Sequence, residues 1–140
     1  MKFITNSEEE TIELGKRIAT KLKKGMVIIL TGDLGSGKTK LVEGILSHFG
    51  LQDEISSPTF TIVNEYNAKE LNIYHFDVYR LEDIDEFLAI GGEEYFEKGA
   101  CLIEWGEMLE EIVPKDCVKI TFSRSDDENV RNIEIENLEI

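Results

Sequence analysis

Residues 32–39, Gly32-Asp33-Leu34-Gly35-Ser36-Gly37-Lys38-Thr39, match the phosphate-binding pattern G-x-x-x-x-G-K-[ST] at every fixed position. Glycines let the backbone turn tightly enough for consecutive N–H groups to converge on a phosphate. A helix starting at Lys38 adds the positive end of its dipole. In that arrangement Lys38 reaches the β- and γ-phosphates of a nucleoside triphosphate, and the Thr39 hydroxyl ligates Mg²⁺. Asp33, Leu34, Gly35, Ser36 and Gly37 form the rest of the cradle. An apolar strand before the motif and an amphipathic helix after it are the context the pattern requires, which separates it from a mere glycine-rich turn.

Such a site needs a carboxylate to complete the Mg²⁺ shell, at the end of a neighbouring buried strand. Glu104 ends the apolar run Cys101-Leu102-Ile103, and Asp77 ends Ile73-Tyr74-His75-Phe76. Burying either carboxylate without a cation is costly. The bland readings are a solvated strand end for Glu104, and a local turn or an Arg80 salt bridge for Asp77. One acid on the metal and the other near the attacking water is a sensible division of labour, and the pattern leaves open which is which. Ser56-Ser57-Pro58-Thr59-Phe60-Thr61 lies where P-loop enzymes often place a switch, a hydroxyl cluster around a proline able to fold over the γ-phosphate and sense it; an ordinary strand-entry loop is the equal alternative. Trp105 reads as a nucleotide contact or as a core or rim aromatic. For His75 and His48, core or surface roles outweigh catalysis.

These residues have to be positioned by regular elements. Ser7 and Glu10 have capping-box spacing. Ile12, Leu14, Ile18, Ala19 and Leu22 recur at helical period, with Gly25 as the stop. The run 26–31 (MVIILT) is a strand buried on both faces, and Leu41, Val42, Ile45, Leu46 and Phe49 mark a second helix closed by Gly50. Strands are expected at 60–66 and 71–78 as an antiparallel hairpin. A helix follows at 83–90, ended by Gly91-Gly92, and then a strand at 100–105. A last hairpin pairs 118–122 with 132–135 around the polar turn 123–129. The order αβαββαβ with β-rich additions predicts one α/β domain over 1–140, a P-loop NTPase-like fold with a mixed β-sheet flanked by helices.

Composition narrows the function classes. The chain has 140 residues, is 41% hydrophobic and 31% charged, and has two prolines, a globular balance. No apolar run approaches the ~20 residues of a membrane span, and Thr5, Asn6 and the glutamates after them leave no secretory segment. Cys101 and Cys117 sit in apolar runs and read as core thiols in a reducing compartment, so the expected address is the cytoplasm. The net charge of −14 repels a nucleic-acid backbone. Lys21, Lys23 and Lys24, the only basic cluster, look like a solvated helix end.

Four blocks, GDLGSGKT (32–39), SPTFTIVNEY (57–66), YHFDVYRL (74–81) and IEWGE (103–107), resemble in order and spacing those of the tRNA threonylcarbamoyladenosine biosynthesis ATPase family, TsaE. The resemblance runs from 7–15 to about Pro114, beyond which it adds only a generic hairpin. It implies an α/β P-loop fold and ATP hydrolysis with Mg²⁺. It also implies partnership with the protein complex that places a threonylcarbamoyl group on the adenosine next to the anticodon of certain tRNAs, the tRNA being carried by those partners. By motif position it puts the Mg²⁺ ligands on Thr39 and Glu104, the phosphate cradle on Asp33 to Thr39, and the water-directed aspartate on Asp77. Thr59 matches the switch threonine, and Thr11 a threonine near the adenine pocket. Lys40 replaces a commoner second threonine; following the Mg²⁺ ligand on the helix, it is expected to face away.

Two other classes compete. A small-molecule kinase of this fold needs a lid with arginines, and the chain has only Arg17, Arg80, Arg124 and Arg131, with no pair. A switch GTPase needs Asn-Lys-x-Asp, which Asn67-Ala68-Lys69-Glu70 is not. A non-catalytic nucleotide-binding adaptor stays open, since no arginine is obviously placed to assist hydrolysis.

Overall fold

In the computed structural model, which describes residues 1–32, 37–54, 63–78 and 81–140, the run Lys2–Thr5 forms strand β1, followed by helix α1 (Glu8–Ala19) and strand β2 (Val27–Thr31). Next come α2 (Lys38–His48), the strands β3 (Val63–Asn67) and β4 (Asn72–Asp77), and the short helix α3 (Ile84–Ala89). Strand β5 (Ala100–Glu104) and the hairpin of β6 (Val118–Arg124) with β7 (Arg131–Glu136) complete the chain. The strands lie in one sheet of order β1-β7-β6-β2-β5-β4-β3. Its middle is parallel, with β2 between β5 and β6 and β4 beyond β5. Both edges are antiparallel, from β3–β4 on one side and β6–β7–β1 on the other. This is the expected mixed sheet, flanked by helices.

Side chains alternate along each strand, so every strand feeds two cores. Ile28, Leu30, Ile73, Leu102, Val118 and Ile120 face α1 and α2. Val27, Ile29, Tyr74, Phe76, Cys101 and Ile103 face the other way, towards Phe87 of α3 and Phe96. Helices α1 and α2 approach so closely that a methyl on Gly15 would overlap the Leu41 carbonyl, and one on Gly44 the Ile12 carbonyl. The two glycines therefore lock α1 against the helix that follows the phosphate-binding motif. Both cysteines are free and buried, as expected of core thiols. Burial pushes the Cys101 thiol up to about 12, which leaves it an unreactive apolar filler.

Ser7 caps α1 as expected, its Oγ accepting from the Glu10 amide at 3.1 Å. The Glu10 carboxylate reaches back one residue further than a capping box requires, accepting from the Asn6 amide at 2.5 Å. The helix stops at Ala19 rather than running on to Gly25, because the Thr20 hydroxyl donates to the Arg17 carbonyl at 2.6 Å and closes the last turn. Gly25, with φ of 91°, then turns the chain into β2. Three features were not expected: the edge strand β1, a 3-10 turn at Gly92–Glu97, and the position of β6. Far from being an appended hairpin, β6 borders the central strand β2. The part of the expected strand at 60–62, the 56–61 segment with Thr59, Arg80, and Asp33, Leu34, Gly35 and Ser36 lie outside the described residues. No helix among the described residues is long and apolar enough to cross a membrane.

Candidate functional site

The two glycines that bound the motif have backbones no other residue adopts easily. Gly32 leaves β2 with φ of 145°, and Gly37, the N-cap of α2, has φ of 106°. No side chain caps α2, and its first turn carries no acidic residue. The positive end of its dipole therefore faces no carboxylate of its own first turn, an arrangement that suits an anion. Directly in front of it lies a cavity of about 270 Å³. Among the described residues it is lined by Gly37, Lys38, Thr39 and Lys40 of α2, by Ser7, Glu8 and Thr11 of α1, by Glu104, and by Glu128, Asn129 and Arg131.

Lys38 is buried. Its Nζ donates to the Gly32 carbonyl at 2.6 Å and stands 4.0 Å from the centroid of the Trp105 ring. A carbonyl and an indole face are weak but real partners for an ammonium group withheld from water. Trp105 is delivered there by φ of 63°, a left-handed backbone that costs a non-glycine residue about 1–2 kcal/mol. Thr39, one position on, is exposed to the cavity.

The two acids lie where the sheet's parallel register puts them. Asp77 and Glu104 are register partners at the ends of β4 and β5. Alternation puts both, with His75, on the face that carries Ile73 and Leu102 and looks towards α2. Glu104 is buried and is held by His75, whose Nε2 lies 2.7 Å from its Oε2. Glu104 is therefore not a solvated strand end. Asp77 is half-buried.

Thr11 reaches the cavity, but its hydroxyl is engaged, 2.7 Å from that of Thr5 and 3.3 Å from the Ser7 carbonyl it donates to. Lys40 does not face away as expected. It lines the cavity because Glu43, one turn on, and Glu8 of α1 draw its long side chain round the helix, at 3.2 and 3.8 Å. The hydrogen bond and charge of Glu43 hold its pKa above the ordinary value. His48 is exposed.

Lys38, Thr39, Glu104 and Thr11 are thus brought to one cavity, with Trp105 beside it through Lys38, and with Asp77 one strand away. Sequence reasoning gave His75 a core or surface role, although it stands two residues before Asp77 and so shares its face. It passed over Arg131, which the β6–β7 hairpin carries to the cavity rim; no local pattern announces that long-range return. Arg131 donates to the carbonyls of Glu128 and Val130 within its own turn. Three of the chain's fifteen basic side chains, Lys38, Lys40 and Arg131, surround this one opening. The same opening is also lined by the carboxylates of Glu8, Glu104 and Glu128.

A parallel-centred sheet whose middle strand runs through a glycine-bounded loop into an uncapped helix defines an α/β protein of the P-loop NTPase-like class. The family model of the threonylcarbamoyl adenosine biosynthesis protein TsaE matches residues 5–133, and the chain belongs to that family. The match extends through β6 and into β7, well past the Pro114 limit of the resemblance. The tRNA threonylcarbamoyladenosine biosynthesis protein TsaE of Bacillus subtilis is 42% identical over 129 residues, 91% of this chain and 80% of that protein. The protein of the same name from Haemophilus influenzae is 40% identical over 134 residues, covering 91% of this chain and 84% of that one. The crystal structure of Bacillus subtilis YdiB superposes with a TM-score of 0.74 at 37% identity, covering 95% of this chain and 82% of that one.

Proposed function

We propose that this protein is a Mg²⁺-dependent ATPase that supports the complex forming N6-threonylcarbamoyladenosine on tRNA, hydrolysing ATP to drive or reset that complex. The observation that carries the reading is the meeting of Lys38, Thr39 and Glu104 at one cavity before the open N-terminus of α2. The donor set fits the groups it would hold. A threonine hydroxyl and a carboxylate are hard oxygen ligands suited to Mg²⁺. A lysine at the positive end of a helix dipole suits a polyphosphate. Bound Mg²⁺ supplies neutralisation of the charge on the β- and γ-phosphates. The chain's own residues do the rest. Backbone groups from Asp33 to Thr39 orient the phosphates, and Lys38 leaves the Gly32 carbonyl to neutralise them. Thr39 and Glu104 hold the metal side of the site. Asp77, on the same sheet face, positions or deprotonates the attacking water, and Thr59 closes over the γ-phosphate. Thr11 and Trp105 border the nucleotide. The proposed partners are protein subunits of the threonylcarbamoyl-transferase complex, with tRNA met only through them, in the cytoplasm.

Two measurements test this directly. ATP is expected to outcompete GTP, because no guanine-reading motif is present; displacement of ATP by equimolar GTP would overturn the adenine assignment. Glu104→Gln keeps an acceptor for His75 but removes the charge, and is expected to weaken Mg²⁺–ATP binding. Asp77→Asn is expected to leave binding intact and depress turnover. The reverse pair of results would exchange the roles of the two acids.

A further inference from the structure

His75 lies on the sheet face that carries the apolar Ile73 and Leu102 and, at the strand ends, Asp77 and Glu104. It is only 4% exposed, and its Nδ1 has no hydrogen-bond partner among the described residues. A buried polar atom left unpaired costs free energy, and an apolar side chain of similar size would avoid that cost. Packing alone therefore does not account for an imidazole here. Among the described residues its side chain makes one polar contact, with Glu104, 2.7 Å from Nε2 to Oε2. A carboxylate oxygen accepts, so in this contact Nε2–H is the donor. The bond occupies one oxygen of Glu104 and restrains its carboxylate, while Glu104 still lines the cavity.

We propose that His75 is the positioning residue of this site: its Nε2–H holds one carboxylate oxygen of Glu104 so that the other is presented to the divalent cation of a bound nucleotide. The proposal rests on the reading of Glu104 as a cation ligand. It also explains how a buried carboxylate is tolerated when no cation is present, since the imidazole N–H keeps it hydrogen-bonded. Partners of this kind fix the orientation of metal ligands, and their loss typically lowers metal affinity about 10–100-fold.

The test measures, by calorimetry, the affinity for a non-hydrolysable ATP analogue in Mg²⁺ and in excess EDTA, and takes their ratio. His75→Gln places an amide N–H at the same reach as Nε2, whereas the amide of His75→Asn is too short and His75→Leu has none. His75→Asn and His75→Leu are expected to cut the Mg²⁺ enhancement by about tenfold or more, with the EDTA affinity unchanged. His75→Gln is expected to restore the enhancement. Thermal melting of each variant identifies any that does not fold, and the remaining variants decide. Equal losses with and without Mg²⁺ would mean a structural role and overturn the proposal. A normal enhancement in His75→Asn alongside a reduced one in Glu104→Gln would also overturn it, leaving Glu104 as ligand. A normal enhancement in Glu104→Gln would remove the ligand reading itself, and the proposal with it.

Discussion

Lys38→Ala is expected to reduce ATP hydrolysis by at least about a hundredfold, the scale of losing one preorganised electrostatic donor. Lys38 is the one cation on α2 that is buried beside the motif, and its Nζ already spans from the Gly32 carbonyl to the Trp105 ring. Removing the whole side chain also empties packed volume, so the charge effect has to be separated from a packing effect. Lys38→Met does this, keeping most of the apolar stem while deleting the ammonium group. Both variants are expected to lose hydrolysis, whereas the methionine variant melts closer to the parent. Thr39→Ala is the companion, with the loss confined to Mg²⁺-dependent binding. Parent rates in the Lys38 and Thr39 variants, measured with partner proteins present, would remove the ATPase reading.

The purified chain is expected to hydrolyse ATP slowly, and the threonylcarbamoyl-transferase complex to accelerate it about tenfold or more. An arginine supplied in trans is worth roughly 10³–10⁵ in rate in P-loop systems that use one. Arg131 stands at the cavity rim, but the carbonyls of Glu128 and Val130 hold it to its own turn. That geometry leaves room for help from a partner. The same complex is expected to bind the protein more tightly with ATP than with ADP, because only the γ-phosphate distinguishes the two states. Steady-state rates with and without the complex, and binding measured with each nucleotide, check both halves. An unchanged rate together with nucleotide-blind binding would exclude a motor role.

What could be read from the sequence was local. GDLGSGKT announced its glycines, its lysine and its helix, and alternation along 71–78 and 100–105 placed Asp77 and Glu104 at strand ends. The two hairpins were legible because their strands are separated by short polar turns. What could not be read depends on pairing over long separations. Strand β1 is four residues that pair, among the described residues, with β7 alone, at the far end of the chain. The hairpin β6–β7 was visible, but nothing in 118–135 says that β6 inserts beside β2. Arg131 was missed for the same reason. His75 was read as a core or surface residue: its face was readable from Asp77, but its bond to Glu104 needs the register of β4 on β5.

The place of β2 in the sheet has a consequence for synthesis. As the chain leaves the ribosome, Val27–Thr31 emerges long before either neighbour, since β5 begins at Ala100 and β6 at Val118. Until then an apolar, β-branched segment has two unpaired edges, the condition that favours mispairing between chains. Helices α1 and α2, locked at Gly15 and Gly44, are close enough in sequence to shield one of its faces early. The other face and both edges wait for distant strands, and such contacts form slowly. A nascent chain therefore carries the complete phosphate-binding motif, from Thr39 until Ala100 emerges, with neither neighbour of β2 yet made to hold it.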